Sequence, residues 1–141
     1  MKTVTVRLGR GFRTTVDTAS HQFFADEPPD EGGEDAGPNP YDLLLASLGA
    51  CTAMTLRLYA DGKSWSLDSV RITLRHDRTH VKDCTDCAED HRGAHVDHIE
   101  RIVHLTGDLD PSQRERLLEI AERCPVARTL ENGPRIRSRL G

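Results

Sequence analysis

The feature that most limits what this chain can become is a run of fourteen residues without a charge, Leu43 to Leu56, opened by Asn39-Pro40-Tyr41-Asp42. The opening predicts a helix start. Asn39 suits the cap, Pro40 suits the first helical position, and Asp42 stands where an acid satisfies free amides and complements the dipole. Apolar groups occupy every face of the run rather than one stripe, which predicts a helix buried all round. Ser47, Gly49, Thr52 and Thr55 interrupt it. It also falls short of the ~20 apolar residues that span a bilayer, so no membrane role is expected. A single cysteine, Cys51, lies in its middle.

At 141 residues the chain fits one domain, 1–141. Apolar content of 36% and aromatic content of 4% make a thin core for a lone subunit, which predicts an oligomer whose central helix is covered partly by a partner. A formal charge of −4 gives no electrostatic case for nucleic acid. Met1-Lys2-Thr3-Val4 runs straight into an alternating pattern, without the look of a signal or transit segment. The expected location is therefore the cytoplasm, where four cysteines read as reduced, metal-binding or redox-active thiols.

Taken in order, Val4, Val6 and Leu8 alternate with polar residues, and Gly9-Arg10-Gly11 turns the chain into a second extended stretch, Phe12 to Thr18. Residues 3–18 read as a hairpin of half-buried strands, with a third strand over His21–Asp26. The acidic, Pro- and Gly-rich stretch 27–38 reads as a surface loop without a regular element. The central helix is expected to run on through Tyr59 and stop at Gly62 in a left-handed conformation. Val70, Ile72 and Leu74 alternate with Arg71, Thr73 and Arg75 as a strand with one wet face, and Ile99, Val103 and Leu105 restore an extended segment. Asp110-Pro111-Ser112-Gln113 is a second capping box. Leu117, Ile120, Ala121 and Cys124 form one apolar stripe behind it, and Pro125 restarts a short helix through Glu131. Gly133-Pro134 predicts a turn into a last strand, 135–140, with Arg135, Arg137 and Arg139 on its wet face. Strands clustered in antiparallel groups with few helices argue an α+β fold.

Cys51 and Cys124 each lie on the apolar part of their own helix, and residues so placed tend to meet across a core. At Cys124 a Cys-Pro helix restart puts the sulfur beside free amides, which lowers a thiol's pKa. Burial alone would raise that of Cys51, which needs a cation delivered from elsewhere; Arg10 or Arg13 is the natural supplier. On spacing alone, two small buried hydrophobes are the slightly favoured reading.

Gly37–Leu56, followed far downstream by Ile-Ala-Glu-Arg-Cys-Pro-Val at 120–126, resembles the OsmC/Ohr family of thiol peroxidases over nearly the whole chain. The resemblance implies an intertwined homodimer, antiparallel sheets wrapped around two central helices, with two active sites at the subunit interface. It implies Cys51 as the peroxidatic and Cys124 as the resolving cysteine. Cys51 would attack a small organic hydroperoxide, become a sulfenic acid, and condense with Cys124 to a disulfide that an external dithiol reduces. The family's arginine best matches Arg10, then Arg13. Its helix-start glutamate falls on Tyr41, with Asp42 one position later and so about 100° around the helix.

A loop over 76–98, an insertion between strands, holds Cys84, Cys87 and five of the seven histidines. Cys84-x-x-Cys87 with His91 and His95 has the spacing of zinc ligands. A dithiol relay to Cys51–Cys124 and an exposed polar loop without metal are the other readings. The leading functional expectation is thus a thiol-dependent peroxidase for organic hydroperoxides, active in oxidative stress and requiring no cofactor. The alternative is a non-catalytic small-ligand or metal-binding protein on the same scaffold.

Overall fold

The computed structural model describes residues 2–80 and 95–141. Backbone packing divides the chain into two units, Met1–Ala46 and Ser47–Gly141. The architecture is α+β with antiparallel sheets, as the sequence predicts.

In the first unit, β1 (Thr5–Leu8), β2 (Thr14–Asp17) and β3 (Gln22–Ala25) form an antiparallel meander, with Val6 opposite Val16 and Thr15 opposite Phe24. Gly11, at φ 76°, supplies the left-handed turn residue of the first hairpin. Only Val16 and Ala25 are buried among the strand residues. The half-buried β1 expected from its alternation is exposed along its whole length, because it is an edge strand that nothing in its own unit covers.

The acidic stretch is more ordered than its composition suggests. A single 3-10 turn, Pro29–Glu31, interrupts it, and the buried carboxylate of Asp26 gathers the rest. Asp26 accepts the amides of Glu27 at 2.8 Å, Glu34 at 3.1 Å and Ala36 at 3.1 Å. Burial raises the Asp26 pKa, but these amides, with Arg13 nearby, outweigh it and hold the group below the usual carboxylate range.

Helix α1 (Pro40–Gly62) starts as expected: Asn39 and Asp42 cap each other's backbone amides at 2.9 and 3.1 Å. Its end differs. Gly62 stays helical and Ser64 takes the left-handed position at φ 55°, with Trp65 N–H on the Ala60 carbonyl at 2.9 Å and Ser64 N–H on Asp61 at 3.0 Å. That is a Schellman closure two residues later than the glycine implied. By length and composition α1 is apolar enough to cross a membrane. Here it packs one face as a core helix.

In the second unit, β4 (Ser66–His80) and β5 (His95–Asp108) form one long antiparallel ribbon, paired from Ser66 opposite Asp108 to His80 opposite His95. His76–His80 and His95–His98, read from sequence as part of the loop over 76–98, are instead strand. A bulge between Leu67 and Ser69 breaks the register opposite Gly107. Gly107 has φ 133° and lies against the Ser66 carbonyl, so no side chain fits there. Two short helices follow, α2 (Pro111–Ala121), with its Asp110/Gln113 capping box, and α3 (Pro125–Glu131).

Leu56 and Ala60 of α1 bury themselves with Leu67, Leu109, Leu117, Ile120 and Ala121. The buried positions Leu48, Thr52, Leu56 and Ala60 recur every fourth residue, one stripe rather than the all-round burial expected. The opposite row, Ala50, Met54 and Leu58, stays open, with Met54 and Leu58 70% and 76% exposed. The last strand expected over 135–140 does not form. Residues 133–141 have no ladder partner among the described residues, and Ile136 and Leu140 are 87% and 98% exposed.

Candidate active site

Cys51 lies halfway along α1, in the row between the buried stripe and the open one, and is half-buried. Cys124 is fully buried. It sits where α2 has ended and Pro125 has taken the first position of α3, so its backbone is extended (φ −55°, ψ 128°) and its carbonyl accepts the first helical bond, from Arg128 N–H at 3.1 Å. Both thiols are free. They share one apolar cluster, in which Leu48, Cys124 and Ala127 are buried and Cys51, Leu74 and Ile99 pack against them. Gly49 lets α1 approach β4 here: a Cβ at that position would lie 2.7 Å from Leu74 Cδ1.

The two sulfurs shift in opposite directions. Burial and then the neighbouring Cys124 push the Cys51 thiol up, against the Val126 amide and the Thr55 hydroxyl. Cys124 also suffers from burial. The Ala127 amide, Cys51, the Thr52 hydroxyl and the Val126 amide outweigh it and bring its pKa down. The deeper sulfur is therefore the more acidic of the two.

Polar groups around the pair are arranged by α1 itself. Thr55 Oγ1 donates to the Cys51 carbonyl at 2.7 Å, and Thr52 Oγ1 donates to the Leu48 carbonyl at 2.8 Å, each reaching back one turn. Arg101 of β5 donates from Nη1 to Thr52 Oγ1 at 3.0 Å, and its Nη2 meets Glu122 Oε1 at 2.9 Å. Arg101 and Thr52 are absent from the residues that sequence reasoning singled out. The signal was present: Arg101 falls in the same alternation as Ile99, Val103 and Leu105, a cation in an apolar register, directly opposite Leu74.

The structure thus brings Cys51 and Cys124 together in the second unit. In the first unit, Arg10 lies exposed in the β1–β2 turn, and the Arg13 guanidinium stacks 4.1 Å over the Phe24 ring. Tyr41 and Asp42 occupy the first turn of α1, where Asp42 is engaged as a cap. Cys84, Cys87 and His91 lie outside the described residues. His95 begins β5 and is exposed; among the described residues no three His, Cys, Asp or Glu groups gather to hold a metal. Near that end of the ribbon Asp97 bonds Arg78 and His76, which together hold its carboxyl below the usual range.

The family model described as OsmC-like protein matches residues 32–139. Among solved structures, the chain is similar to an organic hydroperoxide resistance protein OsmC from Legionella pneumophila (21% identity, TM-score 0.66), covering 92% of this chain and 88% of that one. An OsmC-like protein from Mycoplasma pneumoniae (19% identity, TM-score 0.69) covers 94% of this chain and 89% of its own. An organic hydroperoxide resistance protein from Elizabethkingia anophelis (17% identity, TM-score 0.67) covers the same shares, 94% and 89%. No functionally curated protein matches the sequence.

Proposed function

Because the chain belongs to the OsmC-like protein family, we propose that it is a thiol-dependent peroxidase that reduces organic hydroperoxides with Cys51 and Cys124. The observation that carries this reading is the pairing of a half-buried thiol with a fully buried one in a single apolar cluster. The rim sulfur is the one a substrate reaches, and the apolar surroundings suit an alkyl or aryl group.

The pKa ordering gives each thiol a task. The cycle starts from Cys124, the more acidic of the two, as the thiolate and Cys51 as the thiol. Transfer of the Cys51 proton to Cys124 creates the attacking thiolate. Cys51 sulfur then bonds the distal peroxide oxygen, the O–O bond breaks, and the departing alkoxide takes the proton back from Cys124 to leave as the alcohol. Cys124, a thiolate again, attacks the Cys51 sulfenic acid, forms the disulfide and expels hydroxide. An external dithiol returns both thiols. In this reading Arg10, with Arg13 as the fallback, supplies the activating cation, and Tyr41 or Asp42 the polar group that orients it, as the family resemblance implies.

The open row Ala50–Met54–Leu58 supports a homodimer in which a second copy covers α1. A cytoplasmic setting, where reduced dithiols are available, fits the cycle.

Single-turnover mixing with cumene hydroperoxide tests the proposal. The wild type loses two thiols and releases one cumyl alcohol, Cys124→Ser stops at a sulfenate that dimedone traps, and Cys51→Ser does not react. Equal thiol loss in the wild type and Cys51→Ser would overturn it.

A further inference from the structure

Behind the thiol pair stands an arginine to which nothing in the cycle above gives a task. Arg101 is only 11% exposed along its side chain. One arm of its guanidinium is held by Glu122 at 2.9 Å at the surface, and the other points inward to the buried Thr52 hydroxyl at 3.0 Å. A hydroxyl has one proton to give and two lone pairs to fill. Arg101 fills one lone pair of Thr52 Oγ1 permanently, since an arginine is a donor only. The proton goes to the Leu48 carbonyl, 2.8 Å away, and the same hydroxyl is among the groups that favour the charged form of Cys124.

We propose that Arg101 is a positioning residue for the Cys124 sulfur, acting through the Thr52 hydroxyl as a two-position proton switch. With Cys124 as a thiol, its S–H donates to the remaining Thr52 lone pair and the hydroxyl proton stays on Leu48. With Cys124 as a thiolate, the hydroxyl turns and donates to sulfur. The guanidinium strengthens that donation by polarising the O–H, and it balances the buried negative charge at one hydroxyl's remove. The groups that face Cys124 from the packed elements fit this assignment. Cys51 and Thr52 come from α1, the Val126 and Ala127 amides from α3, and Leu74 and Ile99 of the ribbon contribute apolar walls. Arg101, whose other arm is held by Glu122, reaches this set through the Thr52 hydroxyl. In the proposed cycle this device makes Cys124 the proton carrier and the ready resolving thiolate. The inference rests on the peroxidase reading for its purpose, though not for its chemistry.

The test is a pH titration of thiolate absorbance near 240 nm in the full chain carrying Cys51→Ser, Cys84→Ser and Cys87→Ser, so that Cys124 alone is observed and no peroxide is used. Arg101→Met and Thr52→Val are each expected to lower the fraction of Cys124 thiolate, at a pH below its midpoint, by about tenfold, the scale of one hydrogen bond to a charged group. The pair combined should cost no more than either alone, because they share one path. Thr52→Ser, which keeps the hydroxyl, should titrate like the parent, and serves also if Thr52→Val does not fold. Arg101→Met titrating like the parent, or Thr52→Ser titrating like Thr52→Val, overturns the proposal. So do additive effects in the double variant. If the titrations behave as expected while the wild type fails to consume cumene hydroperoxide, the peroxidase reading fails and the switch stands.

Discussion

Asp42 Oδ2 accepts the Asn39 amide at 3.1 Å while Asn39 Oδ1 accepts the Asp42 amide at 2.9 Å, so the two side chains close the first turn of α1 on itself. An acid one position from where the family places a glutamate is thereby tied to its own helix. Asn39→Ala and Asp42→Ala should each cost about 1 kcal/mol of stability, the usual loss of a helix cap. Urea unfolding followed by far-UV circular dichroism measures it. An Asp42→Ala protein as stable as the parent would mean the carboxylate is not working as a cap.

Acid should loosen the first unit through Asp26. Its folded pKa is depressed below the unfolded one, against the cost of its burial, chiefly by the Ala36, Glu27 and Glu34 amides. A depressed carboxylate contributes stability that is present above its unfolded pKa and fades as pH falls through the folded one. The window is therefore below about pH 4. Urea midpoints between pH 3 and 7 should drop at the acid end in the wild type. Asp26→Asn should lower the midpoint at pH 7 and flatten the acid drop, since an amide NH2 cannot accept from three backbone donors at once.

Arg114 lies in the first turn of α2, on a helix whose apolar stripe is Leu117, Ile120 and Ala121. It donates to the carbonyls of Leu105 at 2.9 Å, Gly107 at 3.1 Å and Leu109 at 3.3 Å, clamping the end of β5 to the helix that follows. Arg114→Met should destabilise the protein by about 1–3 kcal/mol, because half-buried carbonyls lose their donor. Arg114→Lys, a single ammonium without the planar fork, should recover only part of that in the same thermal or urea measurement.

Removing Cys124 should make Cys51 more acidic. After burial, the neighbouring thiol is the next cause of the raised Cys51 pKa, while the Val126 amide and the Thr55 hydroxyl pull it down. In a Cys84→Ser, Cys87→Ser background, Cys124→Ala should therefore shift the pH midpoint of Cys51 alkylation by iodoacetamide downward. An upward shift would show that Cys124 acts on Cys51 as a net donor.

Local signals carried much of this fold into the sequence. The Asn39/Asp42 and Asp110/Gln113 caps, the Gly9–Gly11 turn and the alternation of Val70, Ile72 and Leu74 are written within a few residues of where they act, and all are found in place. Signals that depend on what lies opposite were less legible. Ile136 and Leu140 alternate like a strand, yet a strand exists only with a ladder partner. Gly62 is the obvious stop for α1, but the closing carbonyls of Ala60 and Asp61 set the left-handed residue at Ser64. Cys51 and Cys124 meet as the apolar spacing suggests, although Cys124 sits at the cap between α2 and α3 rather than on a helix face. Arg101 was hidden because a charged residue on a strand reads as solvent-facing, even though its parity places it among Ile99, Val103 and Leu105.

The row Ala50, Met54 and Leu58 adjoins Cys51 along the same helix: Ala50 precedes it and Met54 lies one turn on. Whatever rests on that row also becomes a wall of the space in front of the sulfur. If that cover is a second copy of the chain, reactivity toward peroxide ceases to be a fixed property of one polypeptide and becomes a function of how much protein is in the tube. Specific activity should then fall on dilution through the association constant and return on concentration. Met54→Glu or Leu58→Glu should move that fall to higher protein concentrations while leaving the thiols themselves intact, which sedimentation and activity measured on the same dilution series would show.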